Sequence, residues 1–200
     1  MLAAAIVVAA VLGPWSFVLV IAVYVVVNLA YSIRLKREPV VELAIVASGF
    51  VLRAVAGGVV ARVPLTNWFL VFVSFGALFV ITGKRAAEYM RLGDQRGEHR
   101  PVLALYTESF LRSTLVLSAT VTVAAYCLWA FDRSGLLSHA RQHAVWVELT
   151  VVPLVLSVLH VMRRLDAAEG GEPDQLALHD RLLQGYAVGW VILMCIGLYA

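Results

Sequence analysis

The stretch Gly83-Lys-Arg-Ala-Ala-Glu-Tyr89 sets two adjacent cations just ahead of a carboxylate. Lys84 and Glu88 stand at i, i+4, so on a helix they share a face, while Arg85 points to a neighbouring one. Lysine and arginine donors grouped in this way suit a phosphate or a diphosphate. They equally suit plainer work, as charges that set topology with one local ion pair. Glu88 is the carboxylate at the end of a span beside this basic pair; Glu38 and Glu42 fall in the neighbouring connection. Arg53 is a second candidate. It interrupts an apolar run between Gly49 and Gly57-Gly58. An arginine at mid-span costs at least about 2.5 kcal/mol, so it is expected to face the bundle interior or a water-filled cavity. The alternative is snorkelling, or a structural pair with Glu88 or Glu42. Gly57-Gly58 suits close helix packing, with room for a ligand as the other reading. Tyr31 and Lys36 close an earlier span and could add a hydroxyl and a further cation. The five histidines show no metal-ligating spacing; His139 and His143 are at i, i+4 but have no carboxylate nearby.

The elements that must position these side chains are transmembrane. Of the 200 residues, 62% are apolar and 14% charged, against about 25% charged in a soluble domain. Mean hydropathy is +0.86. A soluble domain, a disordered chain and a disulfide scaffold are excluded, and with them a soluble nucleic-acid-binding role. Cys127 and Cys195 lie in apolar runs and read as small hydrophobes. Uncharged runs mark six full spans: Trp15–Ile33, Glu42–Arg62 around Arg53, Val63–Gly83, Ser113–Phe131, Val145–Met162 and Leu182–Ala200. Each is close to the ~20 residues that cross a bilayer core. Gly13-Pro14 separates off Met1–Leu12, which is too short to span and reads as a half-span. If the segment after Ile33 is cytoplasmic, only Arg62, Arg133 and Arg141 of the 16 Lys and Arg fall outside, with Arg53 in mid-span. That is a clear positive-inside pattern. The acidic segment from Asp166 to Asp180, with its Gly-Gly-Glu-Pro turn, reads as a solvated loop. The fold class expected is an all-α polytopic transmembrane bundle, one domain over 1–200.

An ordered series of motifs carries a resemblance. It runs Tyr31-Ser-x-x-Leu-Lys, Val41-Glu-Leu, Leu52-Arg-Ala-Val-Ala-Gly-Gly-Val, Pro64-Leu-Thr-Asn-Trp-Phe, Gly83-Lys-Arg-x-x-Glu and Trp129-Ala-Phe-Asp-Arg. It ends in Gly171-Glu-Pro-Asp-x-x-Ala-Leu-x-Asp-Arg. Together these resemble the actinobacterial decaprenyl-phosphate phosphoribosyltransferases of the UbiA prenyltransferase superfamily. The resemblance implies a nine-helix bundle with a lateral opening to lipid. It implies transfer of a 5-phosphoribosyl group from phosphoribosyl diphosphate to polyprenyl phosphate at the cytoplasmic face of the plasma (inner) membrane. Magnesium would bridge the diphosphate, and the product would feed cell-wall arabinan synthesis. On this reading Tyr31, Lys36, Arg53, Lys84 and Arg85 contact substrate, and Glu88 serves the metal or orients Lys84. The family's first motif, Asn-Asp-x-x-Asp, has no counterpart, since no acidic residue precedes Glu38. The chain is therefore expected to lack the family's first two helices and part of the third, and to bind donor without transferring it. The competing expectation is a non-catalytic membrane protein, a transporter or a lipid-phosphate-binding remnant.

Overall fold

The computed structural model describes residues 15–33, 38–93, 101–136, 141–166 and 180–199, and among them there is no strand. The helices are α1 (Trp15–Ile33), α2 (Pro39–Ala61), α3 (Asn67–Leu92), α4 (Glu108–Leu136), α5 (Arg141–Leu149), α6 (Val151–Asp166) and α7 (Arg181–Tyr199), with a 3₁₀ turn at Pro101–Leu105. Six helical stretches are long and apolar enough to cross a membrane, as the uncharged runs predict. The half-span Met1–Leu12 and Lys36 lie outside the described residues.

Several boundaries differ from the uncharged runs, and the caps explain why. Proline at N1 starts α2 before Glu42, a position where its missing N–H costs nothing. The helix stops at Ala61 because Arg62 turns left-handed (φ 54°). Val63 N–H then reaches Gly58 O at 3.0 Å and Arg62 N–H reaches Val59 O at 3.3 Å, a Schellman closure with arginine where glycine is usual. Thr66 begins α3 four residues later than expected, its Oγ1 accepting from Phe69 N–H at 3.2 Å. Beyond Gly83, α3 continues to Leu92. Lys84, Arg85 and Glu88 consequently sit on the wall of a rigid helix rather than in a connection. The expected span Val145–Met162 is split at Thr150 into α5 and α6.

Small residues govern how closely the helices approach, as expected where lipid is as apolar as the core. Ser118, Ala119 and Thr122 of α4 are buried; a Cβ on Gly76 of α3 would come within 3.7 Å of the Thr122 methyl. At Gly197 a Cβ would lie 2.7 Å from Val147 Cγ2 and 3.2 Å from Val147 N, so α7 crosses α5 where only glycine fits. Gly58 is close to Leu65 of the following turn, whereas Gly57 faces open space, so the pair does not act as one packing motif. At the break a buried network forms. Trp190 Nε1–H donates to Tyr126 Oη at 2.6 Å, Tyr126 Oη bonds Thr150 Oγ1 at 2.7 Å, and Thr150 Oγ1 donates to Val147 O.

Candidate functional site

Contacts between helix ends gather the start of α2, the end of α3, the start of α4, the end of α6 and the start of α7 at one end of the bundle. Arg85 is the centre of the first cluster there. It is 7% exposed. Its Nε donates to Glu42 Oε1 at 2.9 Å, its Nη2 approaches the same oxygen at 2.7 Å, and its Nη1 donates to both Glu88 oxygens at 2.9 Å. Tyr106, after the 3₁₀ turn, directs its hydroxyl toward Glu42 Oε2 at 2.9 Å and lies closer still to Pro39 O. Glu42 is 1% exposed. A buried carboxylate survives only when paired and hydrogen-bonded, and here Arg85 of α3 and Tyr106 after the 3₁₀ turn supply donors.

This arrangement changes three expectations. Glu42 is not set apart in a neighbouring connection: the first turn of α2 brings it into contact with Arg85, 43 positions along the chain. Glu88 pairs with Arg85 at i, i+3 rather than only facing Lys84 at i, i+4. Arg85 itself is held by two carboxylates, so much of its donor capacity is used inside the bundle. Lys84 is half-buried on the adjoining face of α3, and Tyr31 is half-buried near the end of α1.

Arg53 stands apart from this cluster. It is exposed on α2; its Nη2 donates to Tyr24 Oη at 3.0 Å, and its guanidinium lies 5.1 Å from the Phe50 ring centroid and 5.6 Å from that of Tyr24. Neither Glu42 nor Glu88 is its partner. Eleven residues at ~1.5 Å rise put Arg53 about 16 Å along the helix from Glu42. A hydroxyl and two aromatic faces take the place of a counter-ion.

A second cluster escaped the reading of the sequence. Asp180 Oδ2 accepts from His160 Nε2 at 2.7 Å and from Arg164 Nε and Nη2 at 3.0 Å. Its Oδ1 caps α7, accepting from Leu182 N–H at 3.0 Å and Leu183 N–H at 3.3 Å. The hydrogen bond from His160, with help from Arg164 and the two amides, holds the Asp180 carboxyl well below the ordinary carboxylate range. The signal available was Asp180 two residues before the apolar run that starts at Leu182, a helix-start pattern. Of the acidic segment, Asp166 is described: it pairs with Arg112 at 2.6 Å, with both side chains about two-thirds exposed.

Among the described residues no three of His, Cys, Asp and Glu converge on a metal position, and both Glu88 oxygens already accept from Arg85. The described residues therefore do not compose a metal site by themselves, although UbiA prenyltransferases generally use a divalent metal.

The sequence model of the UbiA prenyltransferase family matches residues 1–196. Proteins named decaprenyl-phosphate phosphoribosyltransferase are similar to the chain. The one from Mycolicibacterium smegmatis is 42% identical over 180 residues, 88% of this chain and 56% of the relative. That from Corynebacterium glutamicum is 38% identical, covering 90% of this chain and 53% of the relative. That from Mycobacterium tuberculosis is 39% identical, covering 90% and 59%. The chain thus spans somewhat over half the length of these curated relatives. An all-helical polytopic bundle matched along nearly its whole length by one family belongs to that family: this chain is a member of the UbiA prenyltransferases, within a multi-pass membrane protein.

Proposed function

We propose that this chain serves the transfer of a 5-phosphoribosyl group from phosphoribosyl diphosphate to a polyprenyl phosphate such as decaprenyl phosphate. The observation that carries the reading is the charged end of α3, where Lys84 stands beside the Arg85–Glu88 pair on a rigid helix at a bundle end. A phosphate oxygen of the lipid attacks the anomeric carbon and forms the new C–O bond. The bond from that carbon to the diphosphate oxygen breaks, and diphosphate leaves with the electron pair. Lys84 contributes positive charge to the diphosphate; Arg85, taken up by Glu42 and Glu88, stands behind it inside the bundle. Tyr31, Lys36 and Arg53 are proposed as further phosphate or lipid contacts.

The apolar part of the acceptor has a matching feature. A groove of about 640 Å³ runs between α1, α2, α3 and the start of α4, lined by Val27, Leu43, Ala47, Leu78 and Phe110 among others. Val40 and Leu43, in the first turns of α2, line it, so the groove extends to the end of the bundle that holds the ion cluster. A prenyl chain lying there would bring its phosphate toward the end of α3.

Magnesium arriving with the donor would supply counter-charge to the diphosphate, with Glu88 as the adjoining carboxylate. On the positive-inside pattern the reacting end is cytoplasmic and the membrane the plasma membrane, where the product would serve cell-wall arabinan synthesis. A second reading, phosphate-lipid binding without transfer, is favoured by one observation: both Glu88 oxygens are already engaged by Arg85. The deciding experiment incubates the purified protein in nanodiscs with labelled phosphoribosyl diphosphate, magnesium and decaprenyl phosphate. Label entering the butanol-extractable lipid is the result expected on this reading, in contrast to the donor binding without transfer expected from the motif series, and Lys84→Met should lower it at least about tenfold, as for loss of a charge-assisted phosphate contact. Donor binding without lipid labelling would replace transfer by the second reading.

A further inference from the structure

Glu42 has no place in the transfer just proposed, yet it is the most enclosed charged side chain described, at 1% exposure. Its two oxygens are occupied by Arg85 Nε and Nη2 and by the Tyr106 hydroxyl. Glu42 and Glu88 together outnumber Arg85 by one negative charge. The guanidinium is therefore fully neutralised inside the bundle, and its fork is turned toward α2. Lys84, the next residue, is half-buried on the adjoining face of α3. A single compact ammonium binds phosphate as a point charge, whereas a free guanidinium beside it would add a bidentate fork.

We propose that Glu42 is a positioning residue that keeps Arg85 as an internal counter-ion, limiting how strongly the end of α3 holds an anion. The proposal rests on the reading of that end as a diphosphate site. Its chemical sense is turnover. Diphosphate is both part of the donor and the leaving group, so a site that added a released Arg85 guanidinium to Lys84 would release product slowly. The buried carboxylate on α2 lowers the positive potential at Lys84 without touching the ligand. The Tyr106 hydroxyl, shared between Pro39 O and the Glu42 oxygen that Arg85 does not use, helps to hold that carboxylate in place.

The test uses inorganic diphosphate as probe, with its affinity for the protein in nanodiscs measured by calorimetry in the absence of metal. Glu42→Gln keeps an acceptor for Arg85 and the shape of the site while removing one negative charge. It is expected to bind diphosphate about threefold to tenfold more tightly than the unaltered protein, the size expected for removing one nearby charge in a partly screened site. In turnover the same variant should show a lower kcat together with a lower KM for the donor. The gain must depend on Arg85, so Glu42→Gln/Arg85→Gln should lose it. A residue that merely supports the fold would weaken binding or leave it unchanged when altered. Tyr106→Phe gives a control that retains both charges, and its affinity should stay within about twofold of the original. If the unaltered protein and Glu42→Gln both fail to bind diphosphate, the phosphate-site reading falls. If the unaltered protein binds and Glu42→Gln binds no more tightly, or its gain survives loss of Arg85, the role of Glu42 alone is overturned. Should Glu42→Gln not fold, Glu42→Asp decides. Its shorter side chain keeps the charge but draws back from Arg85, and unchanged affinity there overturns the proposal while tighter binding supports it.

Discussion

Two ion clusters occupy the same end of the bundle, and they solve opposite problems. At α2–α3 one guanidinium faces two carboxylates, and the three groups come from helices joined by a turn. At α6–α7 one carboxylate faces a guanidinium and an imidazole, and it also caps a helix. The first leaves negative charge in excess beside a lysine. The second is balanced, or positive when His160 is protonated, and every acceptor position of Asp180 described is taken by the protein itself. A cluster with charge left over and a neighbouring cation can act on a ligand; one whose charges are consumed by a helix terminus is a fastening.

The contrast can be broken most forcefully at Arg85. Arg85→Met takes from the buried Glu42 its guanidinium partner, and removing one partner of a buried pair costs about 3–5 kcal/mol. Arg164→Met should cost much less, because its side chain is 31% exposed and His160 still serves Asp180. Unfolding in detergent measured for both variants checks the order; equal losses would remove the distinction between the clusters.

A finer effect concerns Asp180 and pH. Its folded value lies below the ordinary carboxylate value of ~3.9, so its charged form is favoured in the folded state. The stability it adds is fully present above the ordinary value and is lost as pH falls from there through the depressed one. Asp180→Asn, which keeps a good N-cap, should be less stable at neutral pH and should close that gap as the solution is acidified below pH ~4. A gap that stays constant with pH would show that the cap, and not the ion pairs, carries the contribution. The smallest effect belongs to Arg112→Ala. Its pair with Asp166 is open to solvent, and such pairs contribute about 0–1 kcal/mol; a loss approaching that of Arg85→Met would show the site to be shielded.

How much of this was legible depends on distance along the chain. The spans were legible because uncharged runs of bilayer length have one physical meaning. Their ends were less so, since the end of α3 is written in charged residues that a hydropathy reading assigns to a connection. Lys84, Arg85 and Glu88 could be grouped because three and four residues make one helical turn. The partnership of Arg85 with Glu42 could not, because nothing local says which carboxylate a helix 43 positions away will meet. The same holds for His160 and Asp180, separated by 20 positions. Arg53 was legible as anomalous but not as solved: aromatic rings and a tyrosine hydroxyl answer its charge, and no pattern of carboxylates foretells that.

The break at Thr150 has a consequence for direction. An indole N–H can only donate, so Trp190 fixes Tyr126 Oη as an acceptor on one side. Thr150 gives its proton to Val147 O, a carbonyl that an unbroken helix would have satisfied from residue 151. Thr150 Oγ1 is thereby left to accept, and the phenolic proton of Tyr126 has one destination. The row from Trp190 through Tyr126 and Thr150 to Val147 is polarised one way along its length, and no hydroxyl in it can rotate without stranding a proton in the apolar interior. In a bilayer, where no water stands by to accept the loss, that makes the interrupted helix a seam whose two halves and α7 are held in a single sense.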